Sequence, residues 1–168
     1  MIDPSYCRVM ARYNAWQNKQ LSNLLEGLPE AELTRDRGAF FGSILATLNH
    51  LLWGDRMWMS RLDGWDKPAV GGAESTRICP TFAVWTAERY RTDGRIALWA
   101  EKVKAVDLAG DLTWYSGATG RMQSKPMGLC VAHLFNHQTH HRGQVHAMIT
   151  AMGRPAPVSD LAFMPDRI

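Results

Sequence analysis

Of the six histidines in this chain, five fall between His133 and His146, and two of them, His137 and His141, are four residues apart. On a helix that spacing turns the second imidazole only about 40° from the first. Both rings can then reach one cation from the same wall of a cavity. A third ring has to come from another helix, and His50, in Leu48-Asn49-His50-Leu51-Leu52-Trp53, is the candidate. Three neutral imidazoles leave a coordination position open, as in catalytic rather than structural metal sites. Zinc or nickel suits such nitrogen ligands best, with iron or manganese as alternatives. A lone buried histidine is more often a hydrogen-bonded core residue than a ligand. Two adjacent imidazoles are harder to bury, because their lone pairs need a partner that a shared cation supplies directly.

Four long helical segments must position these rings. The first runs from Pro4 to Gly27, with Tyr6, Val9, Tyr13, Trp16, Leu21 and Leu24 recurring at threes and fours. The second starts with Ser43 as its N-cap and ends near Leu62. The third opens at Pro80-Thr81 and carries its apolar stripe from Phe82 to Val106, broken midway by Arg89 and Thr92. The fourth has Pro126 in its first turn and stops at Gly153. Asp63 to Cys79 is a long connection rich in Gly, Pro and polar residues. Asp111 to Lys125 reads as a small hairpin or ordered loop between the third and fourth helices. The expectation is an all-α, four-helix bundle forming a single domain over residues 1–168.

On the fourth helix Met127, Val131, Leu134, Gln138, His141, Val145, Met148 and Met152 form a stripe that should face the interior. At about 100° per residue, His141 falls roughly 20° and His137 roughly 60° from the stripe's centre, with His133, His140 and His146 about 100° to 120° away. His133 is the ambiguous one, since it forms a second spacing of four with His137. Apolar residues surround the second helix almost completely, so most of it should be buried. Gly54, one turn beyond His50, leaves space beside that imidazole. Polar breaks at Arg89 and Thr92, and at Gln138 and His141, fit a cavity between helices or an arginine reaching to the edge. Arg142 and Gln144 read as supporting or surface groups.

The 168 residues are 46% hydrophobic with seven tryptophans, enough for a sizeable core. Nineteen basic against sixteen acidic side chains, with no dense Lys/Arg run, argue against nucleic acid as a partner. No apolar stretch is long enough to span a bilayer, so no membrane role is expected. Cys7, Cys79 and Cys130 are odd in number and widely spaced, and no signal sequence is read, which points to the cytoplasm. Trp58 and Trp65 are candidates for a subunit interface or for packing under the long connection.

The chain resembles the DinB/YfiT-like superfamily of metal-dependent proteins. The resemblance rests on Tyr13-Asn14-Ala15-Trp16 with Asn18, on Leu48-Asn49-His50-Leu51, and on Asn136-His137-Gln138-Thr139-His140-His141-Arg142-Gly143-Gln144, in that order. It implies an up-down-down-up bundle, a divalent metal held by His50, His137 and His141, with His133 and His140 as neighbours, and a homodimer. Some members of the superfamily are transferases or isomerases that use low-molecular-weight thiols such as bacillithiol or mycothiol. The C-terminal domain of the mycothiol-dependent isomerases and of the ergothioneine-synthesis enzymes is not matched, and those activities are not expected.

Whether the chain is an enzyme is left open by its residues. A thiol reaching the open position would become a thiolate nucleophile, which gives a metal-dependent thiol S-transferase acting on a small-molecule substrate. Activated water would give a metal-dependent hydrolase instead, although no acidic residue stands where a general base is needed. A non-catalytic dimeric metal-binding or regulatory module, and a plain bundle with hydrogen-bonded core histidines, complete the alternatives.

Overall fold

A computed structural model describes residues 2–166. It contains four long helices, α1 (Pro4–Leu25), α3 (Ile44–Leu62), α4 (Phe82–Lys102) and α5 (Met127–Ala151), with the short helix α2 (Glu30–Thr34) between the first two. Local chemistry sets most of the ends. The side chains of Asp3, Ser43 and Thr81 accept the backbone N–H groups of Tyr6, Ala46 and Val84 and so cap α1, α3 and α4. Gly153 takes the left-handed φ of 72° that lets the chain turn off the end of α5.

Two sequence expectations about ends need correction. Pro126 lies just before α5, with extended ψ of 132°, rather than inside its first turn. Its strand leads directly into the helix, and the orphan N–H of Met127 is taken by the carbonyl of Gly110 at 2.9 Å. Val106, expected on the third long helix, lies beyond it in a 3₁₀ turn, Ala105–Leu108, and is exposed. The Asp111–Lys125 segment is a hairpin: β1 (Asp111–Ser116) pairs antiparallel with β2 (Arg121–Pro126), with Trp114 opposite Gln123.

Two apolar clusters form the core, and each draws on all four long helices. One contains Leu21 of α1, Leu48 of α3, Trp85 of α4 and Val145 of α5. The other contains Cys7, Met59, Trp99 and Leu134 of the same helices in turn. Hence α1 and α5 run from the second cluster towards the first, and α3 and α4 run the opposite way. Eleven residues of the nineteen in α3 are buried, in keeping with its nearly continuous apolar surface.

A polar layer separates the clusters. Arg89 is 1% exposed, and its guanidinium pairs with Asp55 and Asp93, each at 2.7 Å. Asn18 donates to both Asp93 oxygens, and Gln138 donates to Asp55 and to the Leu51 carbonyl. Arg142 bonds Asn14 and Gln138. Burial pulls its guanidinium down to about 10, well below the ordinary value. The break that Arg89 makes in the α4 stripe is therefore neither a cavity wall nor a side chain reaching for solvent. It is the centre of a charge-balanced network of two arginines and two aspartates joining α1, α3, α4 and α5.

Candidate metal centre

His50, His137 and His141 meet on the flank where α3 crosses α5. Their candidate ligand nitrogens all lie within 4.8 Å of one another. The Nε2 atoms of His50 and His137 are 3.1 Å apart. His133 is placed beside the cluster, its ring centroid 5.8 Å from that of His137, and His140 lies against His141 at 4.8 Å. Neither belongs to the convergent set.

The angular reading of α5 needs one adjustment. Its buried face also includes Cys130, Phe135, Arg142 and Ile149, which rotates the centre away from the histidines. At about 100° per residue, His141 then lies roughly 45° and His137 roughly 85° from that centre. His137 and His50 are accordingly half-buried. His141 is buried, so the cluster reaches from the interior to the seam between α3 and α5, where His50 and His137 lie.

The surrounding hydrogen bonds decide which ring nitrogens carry protons. The Ser75 hydroxyl donates to the Gly72 carbonyl at 2.6 Å, so its oxygen must accept from His50 Nδ1–H at 2.9 Å. His141 Nδ1–H donates to the Gln144 side-chain oxygen at 2.7 Å. Both rings are thereby left with an Nε2 lone pair free. His137 Nδ1 is buried without a hydrogen-bond partner. Its Nε2 cannot satisfy the lone pairs of both neighbours at once, so neutral imidazoles alone leave the cluster short of positive charge. Protonation is a poor remedy. Burial, with the adjacent imidazoles adding to it, pushes His137 down to about 3, and burial chiefly pushes His50 down to about 4. A divalent cation fits this donor set, since metal-nitrogen bonds of about 2.0–2.1 Å place tetrahedral ligand atoms roughly 3.3 Å apart.

The supporting residues come from places the sequence marks only faintly. Ser75 sits in a 3₁₀ turn, Gly72–Arg77, inside the long connection after α3. Asn49 holds that turn in place: its amide donates to the carbonyls of Thr76 and Cys79 and accepts the Cys79 N–H. The residue next to the ligand thus fixes the segment that orients the ligand. Phe41 packs on His50 and His141 with centroids 4.1 and 5.2 Å away, and Trp53 stacks on His50 at 5.9 Å.

Trp58 and Trp65 find partners within the chain. Trp58 contacts His133 and Trp114, and Arg95 covers Trp65. No helix among the described residues is long and apolar enough to cross a membrane.

Four long helices with three imidazoles converging from two of them define a class of helical proteins with a candidate metal site. The chain belongs to the DinB family, whose model matches residues 1–167. It is also 28% identical over 153 residues to the protein DinB of Bacillus subtilis (strain 168), an alignment covering 88% of this chain and 87% of that protein.

Proposed function

We propose that this protein binds one divalent metal ion through His50, His137 and His141, and that it is a metal-dependent transferase acting with a low-molecular-weight thiol. The observation that carries the metal assignment is the pair of fixed tautomers. Ser75 and Gln144 take the Nδ1 protons of His50 and His141, which aims two lone pairs at a common point beside His137. Hydrogen bonds of this kind orient metal-binding imidazoles and raise their basicity. Zinc and nickel are the favoured ions, because imidazole suits both.

When bound, such an ion would act as a Lewis acid and lower the pKa of a thiol or water at its open position. The protein's own share is to orient the imidazoles through Ser75 and Gln144 and to shield His50 with the Phe41 and Trp53 rings. Hydrolysis is the weaker reading, because the buried carboxylates Asp55 and Asp93 are both committed to Arg89 and neither is free to serve as a base.

The up-down-down-up, four-helix bundle in a single domain is part of the same reading, supported by the opposed directions of α1/α5 and α3/α4 through the two clusters. So is a cytoplasmic location, supported by three buried free cysteines. A homodimer is carried over from the sequence resemblance.

Metal analysis of protein purified without chelators tests the site: one ion per chain is expected, lost in His50→Ala and His137→Ala and kept in His133→Ala. Metal content unchanged in His137→Ala would overturn it. The transferase reading predicts consumption of 1-chloro-2,4-dinitrobenzene with bacillithiol, mycothiol or glutathione only when metal is present. No metal-dependent turnover with any of them would count against it.

A further inference from the structure

Past Gly54, α3 carries a second feature that the histidine cluster does not use. Trp58 and Arg61, three residues apart, lie on neighbouring positions of one helix flank, and the hairpin brings Trp114 to within 5.5 Å of Trp58. The Arg61 guanidinium carbon sits 4.5 Å from the Trp58 ring centroid and 5.3 Å from that of Trp114. Arg61 is half-buried, yet the ion pairs among the described residues engage Arg35, Arg37, Arg56, Arg89 and Arg91 and never Arg61. The indole rings present no carboxylate or carbonyl to Arg61, so its N–H donors are not spent on an anionic partner there.

Arg61 lines a cavity of about 700 Å³, within the usual range for small-molecule sites. Trp53, Trp58, Arg61, Lys67, Trp114 and Tyr115 line it, and no acidic side chain does. The cavity borders the histidine cluster on two sides. Trp53 stacks on His50, and Trp58 packs on His133, which packs on His137. The rise of α3 from His50 to Trp58 is about 12 Å at about 1.5 Å per residue, a distance that a small metabolite can bridge.

We propose that this cavity binds a low-molecular-weight organic anion with a flat, unsaturated body. Its carboxylate or phosphate is held by Arg61 with Lys67 assisting, and its body lies along Trp53 and Tyr115. Even with the Glu74 carboxylate beside Gly71, Arg61 and Lys67 leave the aromatic wall net positive, which favours such a ligand over neutral or cationic ones of equal size. Presentation of the ligand to the histidine cluster rests on the metal reading above; the binding itself does not.

The test uses the intact chain, metal-loaded and metal-free, titrated with 3-phenylpropionate, phenyl phosphate and the neutral 3-phenylpropionamide, and followed by tryptophan fluorescence and calorimetry. At least one anion should bind about tenfold or more tightly than the amide, the loss expected when a charged hydrogen bond is removed. The tighter of the two anions identifies the head group. Arg61→Gln should bring the anion to the level of the amide, and Lys67→Gln, at an exposed loop position, should weaken it about threefold. If Arg61→Gln does not fold, Lys67→Gln and the salt dependence of anion binding decide the matter. Equal binding of anion and amide, or wild-type affinity in both variants, would overturn the proposal. So would anion binding that survives Arg61→Gln but vanishes in His137→Ala, because the anion would then sit on the metal. Anion binding kept in a His137→Ala protein that also retains its metal would sink the metal reading and leave this one standing.

Discussion

A Cβ placed on Gly54 would stand 2.9 Å from Cε1 of His137, well inside the ordinary carbon contact distance of about 3.5 Å. Glycine within a helix costs about 1 kcal/mol relative to alanine, and here that cost keeps α3 close enough to α5 for the two imidazoles to meet. Gly54→Ala should leave helix content and thermal stability intact or slightly raised while displacing the His137 ring. The expected result is a loss of metal affinity of about tenfold or more, in the range seen when the setting of a ligand is disturbed. Competition with a chromophoric chelator measures it, and an unchanged dissociation constant would show that the ring has room to move.

Ser75 acts on the site through His50 alone. Ser75→Ala removes the acceptor of His50 Nδ1–H and frees the ring to turn or to change tautomer. Metal affinity should fall about 10- to 100-fold, with Ser75→Thr recovering part of it. Gln144→Ala should do the same through His141. If both variants hold metal as tightly as the parent protein, the orientation argument fails even if the ligands are right.

The metal-free protein should lose stability in acid. His50 and His137 are pushed from an ordinary 6.5 to about 4 and about 3 when folded, mainly by burial. Between those values and 6.5 the unfolded chain binds protons that the folded chain does not, so stability rises with pH. The contribution is complete above about pH 6.5 and drains away as pH falls towards 4 and then 3. Urea midpoints of metal-free protein, taken from pH 8 down to pH 4, should decline more steeply than those of a His50→Ala/His137→Ala variant. Identical slopes would mean that the folded rings titrate as they do in the open chain.

Much of this arrangement was legible in the sequence, and the gaps have physical causes. The spacing of His137 and His141 follows from helical pitch, and the cap at Ser43 follows from the chemistry of orphan N–H groups, so both could be read directly. Ser75 could not, because its role depends on a non-repetitive connection folding back by way of Asn49, and no periodicity marks that event. Arg89 announced itself as a break in an apolar stripe, but a single helix cannot say what a buried cation faces. Its partners Asp55 and Asp93 lie on α3 and α4, and Asn14 and Asn18 complete the network from α1. The half-buried setting of His137 was not legible for a related reason. The width of the buried face depends on Phe135, Arg142 and Ile149 meeting other helices, which one helical wheel does not contain.

The same network also couples the two helices that carry the histidines. Asp55 follows Gly54 in α3, Gln138 follows His137 in α5, and the two are bonded at 2.5 Å. The contact pins the rotation of one helix against the other at the level where the imidazoles converge. Arg89→Met would leave Asp55 and Asp93 buried without their counter-charge, and removing one partner of a buried ion pair costs about 3–5 kcal/mol. Chemical denaturation should show that loss. Replacing Asp55 and Asp93 by Asn in the same protein should recover part of it, because both unpaired carboxylates would be gone, with only the Arg142 guanidinium left charged in the layer. Metal affinity should behave differently: it should stay weakened in the triple variant, since a neutral amide oxygen at position 55 accepts from Gln138 more weakly than the carboxylate does, even when stability returns. A triple variant that regained both stability and wild-type metal affinity would show that the polar layer holds the helices together without setting their phase.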